Sequence, residues 1–186
     1  MAIAPDPMSQ ADALLRELGA EGIPHPGGTL LTHLHRVRTR LTTWNARPTL
    51  QLAGLCHAFY GTDGFPTALL SLDRRADLVA AIGEDAEAIV YSYASCNRKP
   101  TYPALANPVA PFHDRFTGGT HVPALPLRQD LAELTAANEL DLATQDPTFR
   151  ARHGTDLLAL FTHFRPLLSE PAWDDCVAVL LGPTVA

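Results

Sequence analysis

Apolar residues in this chain recur at intervals of three and four and almost never alternate, which fits helices and argues against half-buried strands. Ser9 predicts an N-cap for a helix through Leu14, Leu15 and Leu18, stopped near Gly19. Gly27-Gly28-Thr29 opens a long helix to Trp44, and Pro48, suited to a first turn, starts another. Asp73 is expected to cap a helix closed by Gly83, and Glu84 and Asp85 to begin one that runs through Tyr93 towards Asn97. Helices then resume over residues 127–142, 156–168 and 173–181. The expectation is a single all-α domain over residues 1–186, a bundle of about eight helices. Its core lies at about 25–145 and its C-terminal helices at about 154–182.

Between Asn97 and Pro126 the periodicity stops. Six of the sixteen prolines fall there, with Gly118-Gly119, so a long loop is expected, either functional or poorly ordered.

A formal charge of −6 gives no electrostatic case for nucleic acid or an anionic membrane as partner. The basic cluster Arg36, Arg38 and Arg40 is expected to form a solvated helix face. No apolar run approaches the roughly 20 residues of a membrane span, and Met1–Ser9 lacks the basic and apolar regions of a leader. Three scattered cysteines are too few for a disulfide framework. A cytoplasmic location is the expectation. The apolar helices near Trp173 could pack inward or form a homodimer face.

Sorting polar residues by helical face singles out a few. On the helix after Thr29, His33 lies beside the stripe of Leu30, Leu34, Val37 and Leu41, whereas His35 falls on the solvent side. The Pro48 helix is apolar all round, which predicts burial of His57 near its end. Asn138 lies within roughly 20° of the centre of a stripe of Leu127, Leu131, Leu134 and Leu142; Glu139 turns outward and Asp141 sits at the edge. Two inward imidazoles suggest a metal site or acid–base chemistry, although each histidine could equally be satisfied by a backbone carbonyl. After His57, the turn Tyr60-Gly61-Thr62-Asp63-Gly64 supplies a phenol and a carboxylate. Asp63 could orient His57, cap a helix at Pro66, or both. Arg75 could grip an anionic ligand or form a structural salt bridge. His113-Asp114 and His121 fall in the proline-rich stretch and are weaker candidates.

His33, the 24-residue interval to His57, the segment Ala53-Gly54-Leu55-Cys56-His57 and the later Ala137-Asn138-Glu139 resemble the HD superfamily, above all its alarmone-hydrolase branch. The Tyr60-Gly61-Thr62-Asp63 element, with Arg75, Ile82-Gly83 and Asn97-Arg98, is similar to an uncharacterised HD-like family. The resemblance implies metal-ligand positions at His33 and His57 and a divalent metal (Mn, Fe or Zn). Ala58 and Asn138, however, stand where ligand aspartates belong. The functional expectation is a small-molecule enzyme acting on a polar metabolite. His57 would be its acid–base group or metal ligand, Asp63 and Tyr60 its helpers, and His33, Asn138 and Arg75 its substrate contacts. Hydrolysis would follow if metal binds, and lyase, isomerase or cyclase chemistry otherwise. The alternative is a degenerate HD-like domain that binds a ligand or partner without turnover.

Overall fold

The structure, a computed structural model, describes residues 6–182; of the leader question, Met1–Pro5 lie outside them. It is an all-α helical bundle. Among the described residues the order is α1 (Pro7–Glu17), the hairpin β1 (Pro24–His25) and β2 (Gly28–Thr29), α2 (Leu30–Thr43), α3 (Pro48–Cys56), α4 (Arg75–Ile82) and α5 (Glu84–Ser95). Then come α6 (Arg98–Thr101), the hairpin β3 (Phe112–His113) and β4 (Thr120–His121), α7 (Leu125–Gln145), α8 (Pro147–Phe164) and α9 (Glu170–Leu181). Each hairpin pairs only two residues per strand, antiparallel.

Helices α1, α2 and α8 start at side-chain caps. Thr29 and Thr32 form a reciprocal capping box on α2, satisfying two backbone donors the helix itself cannot. Asp6, not Ser9, caps α1: its carboxylate accepts from the backbone N–H groups of Met8 and Ser9, with Pro7 preset for the first turn. Asp146-Pro147 repeats the device on α8, well before the start expected near Asp156. No helix follows Pro66. Asp73 bonds the Ser71 hydroxyl, and α4 begins only at Arg75, after a 3₁₀ turn.

Helix α3 is buried on every side from Leu52 to Cys56 and packs against α1, α2 and α5. Gly54 permits the approach to α2, because a β-carbon there would lie 2.4 Å from Leu41 Cδ1. Helix α7 is the second central element, packed against α2, α5, α8 and α9. It buries polar side chains, among them Asp130, Asn138 and Asp141, together with its leucines.

The proline-rich stretch is not a free loop. Besides α6 and the β3–β4 hairpin it carries a 3₁₀ turn at Tyr102–Ala104. It is pinned to the end of α5 by Asn97 N–H to the His113 carbonyl (2.9 Å) and Arg115 N–H to the Ser95 carbonyl (2.7 Å). Tyr102, Leu105 and Phe112 anchor it in the core. The basic cluster on α2 is also less solvated than expected: Arg36 binds Asp141 and Arg40 binds Asp175 across helices.

Candidate functional site

Three imidazoles meet where α2, the end of α3 and the β1–β2 hairpin converge. His33 and His57 are 1% and 3% exposed, with ring centroids 5.3 Å apart and planes near perpendicular. His25, from the hairpin, stacks on His33 at 4.0 Å. All three line a cavity of about 370 Å³, at the small end of ligand pockets. Arg98, Asn138 and Glu139 add polar groups to its wall; Leu30, Ala58, Phe65, Leu142 and Phe149 add apolar surface. A larger groove of about 630 Å³ lies between α1, α3 and the α4–α5 junction, but its charged groups are carboxylates alone (Asp6, Glu84 and Asp85) and it has no imidazole. The smaller cavity is the one that gathers the imidazoles.

His33 is held at both ring nitrogens. Nδ1 lies 2.6 Å from Asp141 Oδ2 and Nε2 lies 3.0 Å from Asn138 Oδ1. Asn138 turns its Nδ2 donor to Glu139, 3.2 Å away, which fixes the carbonyl oxygen towards His33. Both His33 nitrogens therefore face side-chain oxygens. Asp141 is clasped from its other side by Arg36, Nε to Oδ1 at 2.7 Å and Nη2 to Oδ2 at 2.9 Å. Burial alone would raise the Asp141 carboxyl; hydrogen bonds and charge from His33 and Arg36 outweigh it and hold it below the usual carboxylate value.

His57 is different. As the C-cap of α3 it donates Nδ1–H to the Gly54 carbonyl at 2.8 Å, which leaves Nε2 as a lone-pair acceptor. Burial first, then the positive charge of His33, pushes its pKa down to about 3, so the ring is neutral. His25 is pushed down to about 4 by the same two influences, and its buried Nδ1 has no hydrogen-bond partner.

Arg98 closes the far wall. Its guanidinium donates to Glu139 at 3.2 Å and to the Tyr93 hydroxyl at 3.1 Å. Its backbone N–H is capped by Asp63 at 2.9 Å.

Of the residues expected from sequence, His33, His57 and Asn138 share this cavity. Asp63 does not orient His57, a task the Gly54 carbonyl performs; it fixes Arg98 instead. Tyr60 and Arg75 belong to a separate network, in which both bind the buried Glu87, Tyr60 Oη at 2.7 Å and Arg75 through two bonds of 2.7 and 2.8 Å. Neither lines the cavity, and for Arg75 the salt-bridge alternative is the one observed. Glu139 faces inward rather than outward, and Asp141 is central rather than marginal. His35 does sit on the solvent side, paired with Asp12. His113 and His121 lie on the β3–β4 hairpin, away from the cavity. Sequence reasoning missed His25, whose short hairpin has no periodicity to mark it.

The donor set does not fit a divalent metal. Among the described residues no three His, Cys, Asp or Glu side chains are arranged to hold one, both nitrogens of His33 are engaged, and Ala58 and Asn138 bring no charge.

A family model described as a domain of unknown function (DUF6817) matches residues 14–98. That stretch, somewhat under half of the chain, contains His25, His33, His57 and Arg98 but nothing of α7. No curated protein and no solved structure matches the chain at a significant level. The HD resemblance gains no support from these matches.

Proposed function

We propose that the protein is a small-molecule enzyme whose general base is His57. It would act on a polar metabolite by metal-independent proton transfer, as in an elimination, isomerisation or cyclisation. The observation that carries this reading is a neutral imidazole with a fixed tautomer, its acceptor nitrogen left free in a cavity whose wall also presents a guanidinium. His57 Nε2 takes a proton from the bound molecule, and Arg98 offsets the negative charge that develops. In the empty cavity an imidazole near 3 is a weak base, but part of that depression comes from His33 and Arg98. A ligand with negative charge cancels their field and restores basicity where it is needed. On this reading the chain is a distant HD-like protein that has exchanged metal ligands for a histidine hydrogen-bonded at both nitrogens. The three buried free cysteines suit a reducing compartment such as the cytoplasm.

The test is incubation with a fractionated metabolite extract, following loss of individual compounds by mass spectrometry. Wild-type protein should convert one compound with or without a chelator, and His57→Ala should lose at least a hundredfold in rate while melting normally. Full turnover by His57→Ala would exclude the assignment. A second reading, a binding module without chemistry, draws on Ala58 and Asn138 in place of the ligand aspartates; retention of a compound without conversion would favour it.

A further inference from the structure

A second cavity, of about 280 Å³, lies directly behind the first and shares Arg98, Glu139 and Phe149 with it. Its remaining wall comes largely from α8 and the 3₁₀ turn at Tyr102, with Tyr102, Leu157 and Leu160 supplying apolar surface and Thr135, His153 and Asp156 polar groups. The Arg98–Glu139 ion pair thus stands as a partition between the polar chamber that carries the histidines and this rear one.

We propose that the two chambers form one site for an amphipathic carboxylate: its carboxylate lies against Arg98 beside His57, and its aliphatic or aromatic tail extends past Phe149 between α7 and α8. The inference rests on the reading above for the polar chamber and adds the class of substrate. Two observations support it. Arg98 is mostly buried and its Nε has no partner, so a planar two-oxygen anion offers it more than the single contact Glu139 provides. Finally, the rear chamber lies where an occupant bound at Arg98 would next reach, and aliphatic and aromatic side chains line much of it. The incoming carboxylate takes the place of Glu139 on the guanidinium, and the pair opens to join the chambers.

The experiment uses acetate, butyrate, hexanoate and octanoate as probes, with hexylamine as control, followed by calorimetry and by the histidine ring resonances of the intact protein. Affinity should rise roughly tenfold for each added pair of methylenes until the rear chamber is full. The His57 resonances should shift with every acid, and hexylamine should not bind. Leu157→Trp, which fills the rear chamber, should abolish the gain with chain length yet bind butyrate as wild type does; Leu160→Trp serves the same purpose if the first variant fails to fold. His57→Ala should keep the chain-length series. A site that binds acids normally but shows no turnover therefore overturns the enzyme reading and leaves this one standing. Affinity independent of chain length, equal binding of hexylamine, or a gain that survives filling of the rear chamber would overturn the proposal.

Discussion

At the scale of single residues, the site is governed by what burial does to titratable groups. His57 is neutral in the fold, while in the unfolded chain it titrates near 6.5. Between that value and about 3 the unfolded state binds the extra proton, so acid favours unfolding and stability falls as pH drops through this window. The contribution is about 1.4 kcal/mol per pH unit. Replacing His57 by Asn, which keeps a donor for the Gly54 carbonyl, should therefore flatten the stability loss between pH 6 and pH 4, as read from urea unfolding at each pH. Asp141 acts in the same direction by the opposite charge change: its lowered pKa adds stability that disappears as pH falls through the folded value. Asp141→Ala strands His33 and Arg36 without their shared anion. It should cost about 3–5 kcal/mol at neutral pH, measured by denaturant unfolding.

At the scale of elements, contacts between helices set where the histidines lie. Gly54→Ala drives a methyl into Leu41 and should destabilise by about 1–3 kcal/mol in thermal or urea unfolding. Because Gly54 also carries the carbonyl that orients His57, the same change should disturb the His57 ring resonances. Asp146→Ala, by contrast, removes only the cap of α8; it should cost about 0.5–2 kcal/mol and leave those resonances in place. Elements with a clean apolar stripe or an all-apolar surface, such as α2 and α3, were legible in the sequence, and so was the inward turn of His33, His57 and Asn138. The first turns of α8, from Thr148 to His153, hold only Phe149 and Ala151 as apolar residues and gave no periodic signal; only the Asp146-Pro147 cap marks them. Helix α7 misled in another way. Packed by helices on several sides, it buries faces that the leucine stripe alone assigns to solvent, which is why Glu139 and Asp141 were misplaced. The partners of Tyr60, Asp63 and Arg75 depend on residues 12 to 35 positions away, which helical spacing does not report.

At the scale of the whole molecule, the cavity is assembled from two parts of the chain. The stretch matched by the family model brings the imidazoles and Arg98; α7 and α8, beyond it, bring Asn138, Asp141, Glu139 and Phe149. A fragment of residues 14–98 should leave the faces of α2, α3 and α5 that pack on α7 open to water, and should bind hydrophobic dye and lack cooperative unfolding by calorimetry. Arg36 shows how closely the two parts are joined. Besides gripping Asp141 on α7, it donates to the carbonyls of Pro26 and Gly27, at 2.9 and 3.2 Å, in the hairpin that carries His25. The hairpin beside the chamber and the carboxylate that holds His33 are thus fastened by the same guanidinium. A proton arriving at Asp141 would loosen the anchor of the very side chain that ties this hairpin to α7.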